Sequence, residues 1–269
     1  MSEEQVLVGG MDSRYAPVRI GDTVRRHPGS SRHSVRALLA HLEAEGFDGV
    51  PRFLGVDEED REIVAWIDGE VPLPPYPAWA MTDAALADLG ALLSRFHAAT
   101  ASFRTTDTPD WAADWADPSP MGPGHVICHN DLYPENVVFR ARRVVALIDL
   151  AMAAPGRALW DLAVAAEVWC PLGAPAFRPV HLAHLDPVKR FGVLTRAYGL
   201  APDRGRELVD VVIEERTHAA ANIRAEVAAG NPAWTAEWAA SGGDERVAAD
   251  DAWIVGHRSA LERAARVAG

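Results

Sequence analysis

Apolar positions change their period near residue 70 of the chain. Before it, residues 6–8, 17–20, 23–26, 51–56 and 62–67 are short apolar or alternating runs bounded by turn residues. That pattern predicts strands. Gly21-Asp22 between the second and third suits a two-residue hairpin, and residues 57–60 turn between the last two. Val35, Leu38, Leu39 and Leu42 fall at helical spacing, which predicts one helix, capped by Ser31 or Ser34 and ending near Gly46. Four prolines (Pro72, Pro74, Pro75 and Pro77) then exclude a helix over 71–77, so this stretch is the expected linker. Beyond it the helical period dominates. Residues 82–100 place Leu86, Leu89, Leu92, Leu93 and Phe96 on one face, and helices are also expected over 161–169, 187–198, 204–229 and 251–267. The helix over 204–229 carries Leu208, Val212, Ala219, Ile223 and Val227 as a stripe. Residues 107–123 form a loop, and 126–149 predict strand, loop and hairpin. The outline is an α+β protein with a small β-rich unit over 1–70 and a larger, mostly helical unit over 71–269.

Composition narrows the partners. The chain carries 26 basic and 38 acidic side chains, a net charge of −12. Nucleic acid and acidic membrane surfaces are held by basic patches, so neither is expected as a partner. A cationic or neutral small substrate suits an acidic chain. Cys128 and Cys170 make no disulfide framework, and the start MSEEQVLVGG has acids where a signal peptide needs a basic region. No apolar run reaches the roughly 18 residues of a membrane helix. A cytoplasmic protein is expected. Every basic residue except Lys189 is arginine, so any step that needs a lysine must use that one or none.

The chemistry concentrates in residues 125–162. His129-Asn130-Asp131-Leu132-Tyr133-Pro134-Glu135-Asn136 has the form H-x-D-x-x-x-x-N, and Asp149 ends the second strand of the hairpin that follows. Phosphoryl transfer relies on positioning and on stabilising spread negative charge, so it needs a base beside the acceptor hydroxyl and ligands for magnesium. Asp131 can accept or orient the hydroxyl proton. Asn136 and Asp149 offer hard oxygens of the kind magnesium takes, and a hairpin between them folds the two back together. His129 braces the loop. Other arrangements are weaker. His125-x-x-Cys128-His129 lacks a second ligand pair for zinc, no G-x-S-x-G elbow exists, and 181–186 is a surface turn. Trp160 and Trp169 belong to the core. Trp111, Trp115, Trp234, Trp238 and Trp253 pack in the core or line an acceptor site, and Asp210, Glu214 and Glu215 form a solvated helix face or look into that site.

The segment resembles the catalytic core of the aminoglycoside phosphotransferase and choline kinase group, which has a two-lobed protein-kinase-like fold. His129–Asn136 is similar to the group's catalytic loop, Ile148-Asp149 to its metal-binding strand end, and Leu159-Trp160-Asp161-Leu162-Ala163 to the start of its following helix. The resemblance implies ATP and Mg2+ as cofactors and a hydroxyl of a small molecule, aminoglycoside-like, amino-alcohol or sugar, as acceptor. It makes Asp131 the catalytic base, Asn136 and Asp149 the metal ligands, and Asp161 a structural brace that also suits a helix cap. Gly9 and Gly10 become the phosphate-covering turn, and 66–70 the hinge for adenine.

The third strand departs from that pattern. Such kinases carry a phosphate-gripping lysine there, and this strand offers only Arg25 and Arg26. Alternation puts Val24 and Arg26 on one face, which favours Arg26. The acids nearest the end of the first helix are Glu43 and Glu45, late for a partner to that cation. These departures keep open a second reading, a nucleotide-binding relative with little or no phosphotransfer that acts as a regulatory or binding module.

Overall fold

The computed structural model describes residues 4–7, 16–104 and 108–266. Strands β1 (Glu4–Val6), β2 (Val18–Ile20) and β3 (Thr23–Arg26) are followed by helix α1 (Arg32–Ala44), then β4 (Phe53–Val56) and β5 (Glu62–Ala65). The five strands form one antiparallel sheet in the order β1-β2-β3-β5-β4. Val24 of β3 pairs with Val64 of β5, and both are buried. Helix α1 buries Ser34, Val35, Leu38, Leu39 and Leu42, as its apolar spacing requires. Its cap differs from expectation. Ser31 holds the N-cap position without a side-chain bond. Asp110, from a loop 76 residues further on, accepts the N–H groups of His33 and Ser34 at 3.0 and 2.8 Å. A distant carboxylate takes over because it complements both open N–H groups and the positive end of the helix dipole.

The sheet region gives way to a mostly helical part through the proline segment. Glu70 exchanges both backbone hydrogen bonds with Phe139, at 2.7 and 2.8 Å. Gly69 makes that crossing possible, since a Cβ there would lie 2.4 Å from the Phe139 carbonyl oxygen. Helix α2 (Asp83–Thr100) follows, with Thr82 accepting the Ala85 N–H at 3.1 Å as its cap. Next come strand β6 (His125–Cys128), the hairpin β7 (Val137–Arg140) and β8 (Arg143–Leu147), strand β9 (Ala154–Arg157) and helix α3 (Ala158–Trp169). Helices α4 (Pro187–Tyr198), α5 (Gly205–Ala228), α6 (Pro232–Ser241) and α7 (Gly243–Arg266) complete the chain.

The core lies around α2 and α3. Leu86, Leu89, Leu93 and Phe96 of α2 are fully buried. The backbone of α4 approaches α2 so closely that a Cβ on Gly90 would lie 2.9 Å from the Leu194 carbonyl oxygen. Five elements differ from the sequence-based expectation. Strand β1 covers Glu4–Val6 where 6–8 was expected, and α3 begins at Ala158 where residue 161 was expected. The last helix begins at Gly243, not residue 251, and α6 precedes it. Helix α6 buries no residue, so no apolar stripe announced it, although Asn231 caps it and Pro232 opens it. Strand β9, Ala-Pro-Gly-Arg, has no strand-like composition and exists because β6 offers it a partner. The α5 stripe buries Leu208 and Val212, while Ala219, Ile223 and Val227 are only half-buried. Among the described residues no helix is long and apolar enough to cross a membrane.

Candidate active site

The loop after β6 is built on one buried carboxylate. Asp161, in the first turn of α3 and 0% exposed, accepts the backbone N–H groups of His129 at 2.8 Å and Asn130 at 2.9 Å. It does not cap its own helix, whose N-cap is Arg157; the donors it satisfies belong to the loop. His97 of α2 adds a third contact, with Nε2 at 3.0 Å, and its Nδ1 lies 2.8 Å from the Tyr198 hydroxyl. Burial alone would raise the Asp161 carboxyl, but the His97 hydrogen bond, the His97 and His129 imidazoles beside it and the loop N–H groups together hold it below its ordinary value.

His129 connects the two candidate functional strand ends. Its Nε2–H donates to the Ile148 carbonyl at 2.9 Å, and its Nδ1 then accepts the Asp131 N–H at 3.3 Å. Both ring nitrogens are therefore committed to backbone, in keeping with a bracing residue. Asn130 adopts φ 64° and donates to the Met152 carbonyl at 2.9 Å. A buried Trp169 holds the far side of the loop, its indole N–H on the Leu132 carbonyl at 2.7 Å.

Asp131 and Asn136 meet directly. The Asn136 amide donates to the Asp131 carboxylate at 2.7 Å and to its carbonyl at 2.9 Å. Burial pushes the Asp131 carboxyl up to about 6, opposed by the nearby His129 imidazole, reinforced by the Asp149 charge, opposed again by the Asn136 bond, and reinforced by Glu135. The β7–β8 hairpin pairs Val137 with Leu147, and the Ile148 N–H bonds to the Asn136 carbonyl at 2.9 Å. Asp149 therefore emerges beside Asn136, with φ 59° and an exposed carboxylate. The donor set suits magnesium. The Asn136 amide nitrogen is committed to Asp131, which leaves its carbonyl oxygen for a cation, and Asp149 adds a carboxylate. Among the described residues no group of three or more His, Cys, Asp or Glu side chains could hold a metal. Magnesium takes one or two protein oxygens and completes its shell with water and phosphate.

The sheet presents its cations unequally. Arg25 lies with Thr23 and Asp57, at 2.5 and 3.8 Å. Arg26 is on the other face, where its Nε bonds Glu62 of β5 at 3.0 Å. Glu43 pairs with Arg52 at 3.5 Å and Glu45 accepts from Ser102 at 3.2 Å, so neither end-of-helix acid serves Arg26. Glu62 escaped the sequence reading, though its position two before Val64 on a strand puts it on the inner face. Lys189 pairs with Asp83 at 2.7 Å, where α4 meets α2. Gly9 and Gly10 lie outside the described residues.

Acids gather beside the loop. Glu167 of α3 pairs with Arg216 of α5, which also meets Asp251 at 3.3 Å and Asp250 at 3.4 Å. Burial pushes Glu167 up to about 7 against the Arg216 charge, and Glu215 up to about 8 with help from Glu167. Tyr133 is 46% exposed, yet desolvation of its hydroxyl and the charges of Asp131, Glu215 and Glu135 keep the phenol protonated. Glu214 instead pairs with Arg157 at 3.0 Å and Asp210 with Arg258 at 2.6 Å. Trp160 and Trp169 are core residues, and Trp115 stacks on Trp234 with ring centroids 5.3 Å apart.

The sheet topology, the Asp161-braced loop and the hairpin that returns Asp149 to Asn136 define a protein-kinase-like phosphotransferase fold. The chain belongs to the phosphotransferase enzyme family, whose sequence model matches residues 107–200, the span that holds Asp131, Asn136, Asp149 and Asp161. It is 33% identical over 285 residues to the trifolitoxin immunity protein of Rhizobium leguminosarum bv. trifolii, covering 98% of this chain and 99% of that protein. Among solved structures, a choline/ethanolamine kinase family protein from Mesorhizobium loti superposes with a TM-score of 0.66 at 18% identity, covering 98% of this chain and 92% of that one. The macrolide 2'-phosphotransferase MphH from Brachybacterium faecium gives 0.56 at 18% identity, covering 88% and 91%. At these identities the solved structures share the fold.

Proposed function

We propose that this protein transfers the γ-phosphoryl group of ATP, as its magnesium complex, to a hydroxyl of a small molecule. The observation that carries the reading is the Asn136 amide on the Asp131 carboxylate at 2.7 Å, with the hairpin delivering Asp149 to the same place. Asp131 takes the role of base: its carboxylate is anchored by one oxygen, which orients the other toward an acceptor proton. Asn136 and Asp149 would hold magnesium, which when bound counters the negative charge on the phosphate oxygens. His129 and Asp161 keep these groups in register from beneath. We assign residues 1–70 to covering the nucleotide, with Gly9 and Gly10 as the phosphate turn and Arg26, ahead of Arg25, as phosphate ligand. Residues 71–269 hold the loop and the acceptor.

The acceptor class follows from the acids beside Tyr133. A cation placed there would keep Glu167 and Glu215 ionised and return their desolvation cost, so an amine-bearing hydroxyl compound suits the site. The name of the Rhizobium relative, an immunity protein, favours a toxic compound inactivated by phosphorylation. The test is phosphate transfer from magnesium-ATP to a panel of aminoglycosides, amino-alcohols and sugars. Asp131→Asn should lose at least about a hundredfold in turnover while nucleotide affinity is kept, and wild-type turnover would remove Asp131 as the base. Asp149→Ala should abolish magnesium-dependent nucleotide binding, and unchanged affinity would remove Asp149 from the metal site. The missing lysine favours a second reading, a nucleotide-binding module. Magnesium-dependent ATP binding with no transfer to any acceptor would support it.

A further inference from the structure

The inner face of the N-terminal sheet carries two arginines on one carboxylate. Glu62 of β5 has a side chain 3% exposed, and it accepts the Arg26 Nε on Oε2 at 3.0 Å and the Arg36 Nε on Oε1 at 2.8 Å. Arg26 comes from β3 and Arg36 from α1, so strand, helix and neighbouring strand meet at this carboxylate. In the kinase pattern a strand lysine pairs with a helix glutamate. Here the signs are rearranged: both the strand and the helix contribute cations, and the acid comes from the adjacent strand.

Charge counting makes the cluster unusual. Among the described residues Glu62 is the acid paired with both guanidinium groups; it neutralises one of them, and the second leaves a net positive charge. The Arg36 side chain is only 23% exposed. A partly buried cation beyond what its acid can balance is costly unless another anion completes the group. Geometry agrees. Both arginines bond Glu62 through Nε. Arg36 Nη2 is buried and meets no hydrogen-bond partner among the described residues. A buried donor without an acceptor carries the full desolvation cost of the group. The segment between Arg26 and Arg36 runs against the turn after Asp149, with the place of a Gly29 Cβ 3.7 Å from Ala151 Cβ.

We propose that Arg26 and Arg36, both tied to Glu62, bind the phosphate chain of the nucleotide together, in place of the lysine absent from this strand. The proposal rests on the reading of the site as nucleotide-binding. Guanidinium groups suit the task because their planar forks contact phosphate oxygens through two nitrogens at once. Arg36 thereby becomes a binding residue contributed by α1.

The test compares equilibrium binding of magnesium-ATP and of adenosine to the wild-type chain, Arg36→Lys, Arg36→Ala and Arg26→Ala. Lysine can keep a cation beside Glu62 but has no second nitrogen fork. Arg36→Lys should therefore hold the wild-type melting temperature and bind adenosine as before, yet lose about tenfold or more in magnesium-ATP affinity. Arg36→Ala and Arg26→Ala should lose at least as much. Equal magnesium-ATP affinity in Arg36→Lys and the wild type would overturn the proposal. So would a parallel loss of adenosine and ATP binding, which marks a structural role. If the wild type binds neither ligand, the nucleotide reading itself fails and the proposal falls with it.

Discussion

Asp117 shows how much a single buried carboxylate can organise. It accepts the Arg157 backbone N–H at 2.8 Å, the Arg157 guanidinium at 2.8 and 2.9 Å, and the Ser119 N–H at 3.0 Å. Burial would raise its carboxyl, but these donors outweigh burial and hold it down at about 2. The ionised form is thus favoured in the folded chain over its value of 3.8 elsewhere. Its stabilisation is complete above about pH 4 and is lost as the pH falls toward 2. Asp117→Asn should cost about 2 to 4 kcal/mol at pH 7, read as a lower urea midpoint, and the gap to the wild type should narrow below pH 4. A constant gap would mean that the negative charge is not what stabilises. At this scale Asp131, Asn136, Asp149 and Asp161 were legible in the sequence because their spacing within one short segment is local. Glu62 and Arg36 were not, because their partnership spans 26 residues and neither carries a motif.

Elements differ in how they reveal themselves. Helix α2 shows its buried face as Leu86, Leu89, Leu93 and Phe96, and its cap as Thr82, so periodicity and capping chemistry agree. Helix α3 has most of its residues buried, and it was found through the Asp161 segment, not through amphipathicity, though it starts at Ala158, three residues before the expected residue 161. Its C-terminal Trp169 closes the loop against the core through Leu132. Trp169→Phe should leave the buried Leu132 carbonyl unpaired and lower stability by about 1 to 3 kcal/mol, measured by chemical denaturation. Loss of the same size in turnover would show that the loop transmits the change to Asp131. An unchanged denaturation midpoint would show that the carbonyl finds another donor. Strand β9 and helix α6 illustrate the opposite case. One needs the edge of β6, the other follows from cap residues alone, and neither has an apolar rhythm of its own.

The sheet and the helical part are joined through more than the linker. Asp110 takes the first open N–H groups of α1, and the Ser34 hydroxyl accepts the Asp110 N–H in return at 3.0 Å. Gly69 and Glu70 lie against Phe139 in the hairpin. These contacts set where Arg36 stands relative to Asp149. Asp110→Ala removes the cap and should speed amide exchange at His33 and Ser34 by about fivefold, with little change at α2. Unchanged exchange would show that Ser31 or another group caps the helix instead. The change should also weaken nucleotide binding, because α1 carries Arg36.

Local order was written in the chain: strand and helix periods, the proline break, the H-x-D-x-x-x-x-N loop, and a third strand with no lysine. Each depends on residues within a turn, a strand or a hairpin of one another, where spacing alone decides which side chains share a face. The long-range pairings came from the folded molecule. Glu62 between Arg26 and Arg36, Asp110 on α1, and Glu167 with Arg216 join residues from separate elements. Their value comes from desolvation and geometry, which arise only when the chain closes and burial makes an unpaired charge expensive. The absence of a lysine could be counted residue by residue; the two arginines that meet on Glu62 required the third dimension.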